Sequence, residues 1–163
     1  MLRSRDVDFD KAIANRVIER LGQPIPLFLQ MATQDLYRLW KKSAKYEPLT
    51  VGDVDQVFDD MIRSSAAQDK LQHYYSRIHR YYSPPRNVAA YQSLSKLSIS
   101  KDGISRQALQ QEFDRVISQA GLDIPQHEAR QLFNQLMRDL ENDFYVMEVS
   151  EDRFDFASGV MKA

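Results

Sequence analysis

Residues 125–156, PQHEARQLFNQLMRDLENDFYVMEVSEDRFDF, decide the fold of this 163-residue chain, because the spacing of the apolar residues changes within them. Up to Leu140 the apolar residues recur every three or four positions, which predicts a helix with Pro125 at its first position. Aromatic and β-branched residues then fill 144–149 and 154–156, on either side of a polar stretch. This pattern predicts a β-hairpin after the helix.

The sequence before this stretch supplies two further helices, one near residues 86–98 and one capped by Ser105 and ended by Gly121. Three helices followed by a hairpin is the order of a winged helix, which is a helix-turn-helix with a β wing. The paired prolines of Ser83-Pro84-Pro85 disfavour a continuous helix, so we predict a domain boundary there. The winged-helix domain is accordingly predicted to span residues 84–163.

Residues 1–83 are predicted to form a bundle of four helices, so the fold class is mainly α with one small β-hairpin. The first helix starts near Asp8 and stops at Gly22, and Thr50 is the predicted N-cap of the third. The apolar faces of the first and fourth helices are predicted to contain Phe9, Ile13, Val17, Ile18 and Leu21, and Leu71, Tyr74, Tyr75, Ile78, Tyr81 and Tyr82.

Composition narrows the function. The chain has 22 Lys and Arg against 23 Asp and Glu, with a formal net charge of −1, which argues against a protein that mainly coats nucleic acid or anionic membranes. It has no cysteine, and it has no apolar run of the roughly 20 residues that cross a membrane. We therefore expect a cytoplasmic protein without membrane association.

Charge is unevenly divided at the predicted boundary. Residues 1–83 hold 13 basic and 11 acidic residues, a net of about +2, whereas residues 84–163 hold 9 and 12, a net of about −3. The acidic excess therefore lies in the half whose fold is otherwise typical of DNA binding. This distribution favours protein partners for the winged helix.

Sequence patterns for catalysis are missing. No Gly-x-x-x-x-Gly-Lys-Ser/Thr loop and no Gly-x-Ser-x-Gly elbow occurs. The histidines His73, His79 and His127 have no i, i+4 partner that would place two metal ligands on one helical face. We predict no catalytic residue, no metal site and no cofactor bound by this chain alone, and hence no enzyme.

A tyrosine ladder in the fourth helix allows two interpretations. Aromatic residues interleaved with cations can stack on bases and neutralise phosphates. Tyrosines at a seven-residue interval also pack helix interfaces with their hydroxyls at the rim, and we favour this packing interpretation. The ladder comprises Tyr74, Tyr75, Tyr81 and Tyr82, with Arg77, His79, Arg80 and Arg86 between and beside them.

The helix after Pro125 is the candidate contact surface for nucleic acid or a protein partner. Its outer positions are of types that read base edges in a major groove, namely His127, Arg130, Gln131, Asn134, Gln135 and Arg138. Acids in the same helix and hairpin would repel phosphates, namely Glu128, Asp139, Glu141, Asp143, Glu148, Glu151 and Asp152. Protein contact is therefore at least as well supported as DNA contact.

Two segments resemble one protein family. Gly22-Gln23-Pro24-Ile25-Pro26-Leu27-Phe28-Leu29-Gln30 is similar to the Gly-x-Pro segment that opens the helical lid of STAND-class, AAA+-related ATPases of the archaeal type. The stretch from Leu140 to Ser158 resembles their winged helix. The resemblance implies a lid over about residues 8–82, with Gly22 and Pro24 facing a nucleotide, ATP or ADP, in the parent protein.

The P-loop and magnesium-binding strand of that family do not occur in this chain, so we expect it to be the C-terminal part of a larger ATPase. The expected function is regulatory and non-catalytic: the lid senses nucleotide on the ATPase core, and the winged helix contacts that core or another protein. Two alternatives remain. One is a DNA-binding winged-helix regulator, and the other is a protein–protein adaptor.

Overall fold

A computed structural model describes residues 10–43 and 47–162, with only the backbone of residue 66. It is mainly helical with a small three-stranded antiparallel sheet, which confirms the predicted fold class. In chain order the elements are α1 Lys11–Leu21, α2 Pro26–Lys42, α3 Val51–Arg63, α4 Ser65–Tyr81, α5 Arg86–Ile99, β1 Ile104–Ser105, α6 Arg106–Gln119, α7 Gln126–Asn142, β2 Val146–Ser150, β3 Arg153–Phe156 and α8 Gly159–Lys162.

The chain forms two compact units, and their division differs from the predicted boundary at Ser83-Pro84-Pro85. The first unit ends at Asp69 and also includes Ser158–Val160, whereas the second comprises Lys70–Ala157 with the residues after Val160. The division therefore falls inside α4. The reason is packing: beyond Asp69 the buried side of α4 contacts residues that follow α7, so this part of the helix belongs with the winged helix.

The first unit contains α1, α2 and α3. Helix α1 ends at Gly22 as predicted, with a φ of 71° that glycine adopts without strain. Ile13, Val17 and Leu21 form its buried side. The sequence predicts Ile18 on that side too, but Ile18 is 46% exposed. Successive helical residues are rotated by about 100°, so Ile18 points away from the side on which Val17 is buried. Phe9 lies outside the described residues.

Helix α3 begins with the predicted cap. The Thr50 hydroxyl accepts from the Asp53 N–H, and the Asp53 carboxylate accepts from the Thr50 N–H at 2.7 Å, which together make a capping box. This reciprocal pair satisfies two backbone donors that the first turn of a helix otherwise leaves free. The acid at 53 therefore serves helix initiation.

The second unit has winged-helix topology. After α5 comes the short strand β1, then α6, α7 and the hairpin β2–β3, with strand order β1-β3-β2 and all pairings antiparallel. Strand β1 was not predicted, because two residues are too few to show an alternating pattern. Pro125 is the N-cap of α7 instead of its first helical residue.

Candidate functional site

The turn from Gly22 to Pro24, between α1 and α2, holds the two residues that the family resemblance assigns to a nucleotide. Both are exposed, whereas Ile25 is 4% exposed and anchors the turn in the core. Gly22 forms an isolated antiparallel bridge with Ser158. A Cβ on Gly159 would lie 2.8 Å from the Arg20 carbonyl oxygen, so glycine is required for this close approach.

Two arginines near the turn are already engaged by acids of α3. Arg16 Nη2 lies 2.8 Å from Asp55 Oδ1, and Arg20 Nη2 lies 2.6 Å from Asp59 Oδ1. The hydrogen bonds of Arg16 to Glu19 and Asp55 raise its pKa above the ordinary value. These pairs join α1 to α3, so they stabilise the helix that ends at Gly22.

The outer face of α7 divides into a free part and an engaged part. His127, Arg130 and Gln131 are exposed and have no side-chain partner among the described residues. Asn134 and Gln135 are half-buried: Asn134 accepts from Arg106 at 2.9 Å, and Gln135 donates to Asp139 at 2.7 Å. Only part of the predicted contact set is therefore available to a partner.

Arg138 completes the engaged part. It is exposed, and its Nη2 donates to the Gln135 side-chain oxygen at 2.9 Å. Since the same amide donates to Asp139, the three side chains form a chain of hydrogen bonds along α7. A partner that contacts Arg138 would have to share or replace one of these bonds.

Two of the acids expected to repel phosphates have partners inside the unit. Asp139 Oδ2 lies 2.7 Å from Arg86 Nη1. The Asp143 carboxylate accepts from the Tyr82 hydroxyl at 3.0 Å and lies 3.9 Å from Arg77 Nη2. Both carboxylates therefore interact with side chains of the same unit.

The tip of the wing retains its acids. Glu151 and Asp152 are exposed. One carboxylate oxygen of Glu148 accepts from the Asp152 N–H at 2.9 Å and so stabilises the turn. The wing is therefore an acidic element, whereas the free residues of α7 are basic or neutral. The two parts of the winged helix therefore differ in the charge that they expose.

A cluster of tyrosines confirms the packing interpretation for the inner side of α4. Tyr74 and Tyr82 are buried and both donate to Asp143, to its backbone carbonyl and its carboxylate respectively. The Tyr145 hydroxyl donates to the Tyr74 carbonyl at 2.8 Å. Burial raises the pKa of Tyr74 to about 12, and it also raises the pKa of Tyr82 and Tyr145.

Tyr81 does not follow the prediction that it belongs to the apolar face of its helix. It is 62% exposed, with the Arg80 guanidinium carbon 5.6 Å and that of Arg77 6.0 Å from its ring centroid. Tyr82 follows the last residue of α4 and keeps a helical hydrogen bond, from its N–H to the Ile78 carbonyl at 2.9 Å, so Tyr81 lies about 100° from it around the helix axis. The ladder therefore has a buried side and an exposed side.

Comparison with known proteins finds no matching family model, curated protein or solved structure. Within the described residues no group of three His, Asp or Glu side chains is arranged to hold a metal ion. Along those same residues, no helix combines the length and apolar character that crossing a membrane requires.

Proposed function

We propose that this chain is a nucleotide-responsive, non-catalytic region of a P-loop ATPase. In this proposal the turn at Gly22 and Pro24 contacts the nucleotide held by the ATPase core, and the winged helix contacts a partner. The observation that supports it best is the bridge between Gly22 and Ser158, since it joins the exposed turn to a segment that directly follows the wing.

The turn suits contact with a base or ribose more than with phosphates. The Pro24 ring is exposed and offers an apolar surface, and it follows by two residues Gly22, whose φ is 71°. Arg16 and Arg20 are already paired with acids. Phosphate binding is accordingly assigned to the ATPase core, whose Gly-x-x-x-x-Gly-Lys-Ser/Thr loop this sequence does not include.

The residue that bridges to the Gly22 turn follows the wing closely along the chain. Strand β3 ends at Phe156, and Ser158 follows it after one residue. A nucleotide that favours one arrangement of the Gly22 turn would therefore bias the backbone at Ser158 and the strand that precedes it. Such coupling is a shift between populations, and its size depends on how differently the nucleotide binds the two arrangements.

The test uses the full-length product of the gene that encodes this chain. We expect the reading frame to encode a P-loop upstream of Met1, and we expect Pro24→Ala to weaken ADP binding about fivefold or more, measured by fluorescence titration. Pro48→Ala is the control, since Pro48 is also an exposed proline before a helix. A complete gene without a P-loop, or equal ADP affinity in both variants, would contradict the proposal.

Duplex DNA is the second candidate ligand, and it is assigned to α7. The observation that favours it is that Asp139 pairs with Arg86 and Asp143 accepts from Tyr82. Fewer unpaired acids of this helix and its C-terminal end then oppose the positive charge of exposed Arg130. We expect salt-dependent binding of duplex DNA that Arg130→Ala weakens and that Lys101→Ala, a charge removed from outside α7, leaves unchanged. No binding at low salt would exclude this candidate.

A further inference from the structure

The segment from Lys70 to Lys101 contains no Asp or Glu, although it contains Lys, Arg and His throughout. It covers the part of α4 in the second unit and all of α5. The helical repeat places one group of α4 residues on a single stripe beside the buried tyrosines. We call this the α4 stripe, and its members are Lys70, His73, Arg77, Arg80 and Tyr81.

The α4 stripe is largely exposed to solvent. Lys70, His73 and Arg80 are exposed, Arg77 is half-buried, and Tyr81 is 62% exposed. An exposed aromatic ring flanked by guanidinium groups is a surface that offers both a flat apolar face and positive charge. Inside the fold, by contrast, the neighbouring Tyr82 is 5% exposed and fully engaged.

Most of the positive charge of the stripe is not paired locally. Lys70 and Arg80 have no ion pair within the described part of the chain. Arg77 has one weak ion pair, at 3.9 Å to Asp143, and that carboxylate also accepts from Tyr82. The Arg77 guanidinium carbon lies 5.4 Å from the ring centroid of buried Tyr74 and 6.0 Å from that of Tyr81, and the Arg80 guanidinium carbon lies 5.6 Å from the Tyr81 centroid. Exposed Arg80 and Lys70 therefore offer the most accessible donors to an anion.

These features define the ligand by its chemistry. Phosphates suit the guanidinium donors, and a planar base suits an exposed tyrosine between two arginines, since stacking on aromatic and guanidinium planes tolerates any base. From Lys70 to Tyr81 the stripe is about 16 Å long at 1.5 Å per residue, enough for several nucleotides. A base must be unpaired to stack in this way, which favours a single strand over a duplex.

We propose that the α4 stripe binds single-stranded nucleic acid, with phosphates on Arg77, Arg80 and Lys70 and a base on Tyr81. This site uses neither the Gly22 turn nor the outer face of α7. It therefore stands or fails independently of nucleotide sensing and of duplex binding. DNA and RNA share the chemistry, and the experiment distinguishes them.

The test is fluorescence anisotropy of labelled oligothymidylate and oligouridylate with the purified chain over a series of salt concentrations. We expect a Kd on the order of 10 μM at moderate salt, and tighter binding as salt falls. Tyr81→Ala is expected to weaken binding about tenfold, while Tyr81→Phe, which keeps the ring, retains it. Arg80→Gln is expected to lower the salt slope by about 0.7, the value for one phosphate contact on a single strand.

Arg130→Gln is the matched control, because it removes one exposed arginine from α7 and should leave single-strand binding within twofold. Thermal melts of every variant verify that the fold is retained. The proposal is overturned if oligonucleotides do not bind at low salt, or if Arg130→Gln weakens binding as much as Arg80→Gln. If polyglutamate binds as tightly as the oligonucleotides, or if Tyr81→Ala has no effect on oligonucleotide binding, the surface is a non-selective anion site and the proposal is also overturned. Tighter binding of oligothymidylate identifies the ligand as DNA, and tighter binding of oligouridylate identifies it as RNA.

Discussion

Tyr81 and Tyr82 are neighbours in the chain with identical chemistry, yet they have opposite environments. Tyr82 is 5% exposed and donates to Asp143, whereas Tyr81 is 62% exposed and lies against two arginines. The helical turn of about 100° per residue separates them. The comparison teaches that two residues of one type can have different environments when they lie on either side of the edge of the buried face.

The largest effect is expected from truncating the buried member of the pair. Tyr82→Ala should lower the free energy of unfolding by about 3 to 5 kcal/mol, because it leaves a cavity and removes a hydrogen bond to Asp143. Tyr81→Ala should change it by less than about 0.5 kcal/mol. Urea denaturation followed by circular dichroism measures both, and similar losses in the two variants would refute the division of the ladder.

Removing the acceptor of Tyr82 should have an intermediate effect. Asp143→Ala leaves the Tyr82 hydroxyl without its partner, and we expect a loss of about 2 kcal/mol. Asp59→Ala is the control, because Asp59 is 53% exposed and its pair with Arg20 is a surface ion pair worth about 1 kcal/mol or less. If Asp59→Ala costs as much as Asp143→Ala, burial is not what makes the tyrosine cluster stable.

The smallest effect at neutral pH is expected from removing one hydroxyl. Tyr82→Phe should cost about 1 kcal/mol, the net value of one hydrogen bond. Burial raises the pKa of Tyr82 above its ordinary value of 10.0, so its contribution is complete below that pH and is lost as pH rises toward the folded value. The Tyr82→Phe variant has no such hydroxyl to ionise. The difference in free energy of unfolding between it and the unsubstituted protein should therefore shrink above about pH 10.

Urea denaturation of both proteins at increasing pH measures this trend. Burial also raises the pKa of Tyr74 and of Tyr75 to about 12, so both proteins should lose stability between pH 10 and pH 12 for that further reason. The difference between them isolates Tyr82. A deficit that stays constant or grows with pH would mean that the Tyr82 hydroxyl is not protected from ionisation by the fold.

Much of the fold could be predicted because its signals are local. Gly22 ends α1, Thr50 caps α3, and the change of apolar spacing after Leu140 marks the hairpin. Strand β1 could not be predicted, because its two residues are a strand only through pairing with β3, which is distant in sequence. The division inside α4 likewise depends on contacts with residues after α7 and has no local signal.

The candidate sites were predictable to different degrees. The exposed turn at Gly22 and Pro24 was found through a short motif, since turns are encoded by glycine and proline themselves. The free part of α7 was overestimated, because hydrogen bonds from Arg106 to Asn134 and from Gln135 to Asp139 are invisible in the spacing of residues. Residue type favours burial of Tyr81, whereas helical geometry places Tyr81 about 100° from buried Tyr82 and so predicts its exposure.

By itself the sequence determined which segments are helices, several of their caps, and the net charge, because these depend on composition and on residues close together in the chain. Tertiary structure alone decided which side chains remain free. The carboxylate of Asp143 is held by Tyr82, while Arg80 keeps its charge open to solvent. The physical reason is that hydrogen bonds and burial depend on which distant elements meet, and no local pattern encodes those meetings.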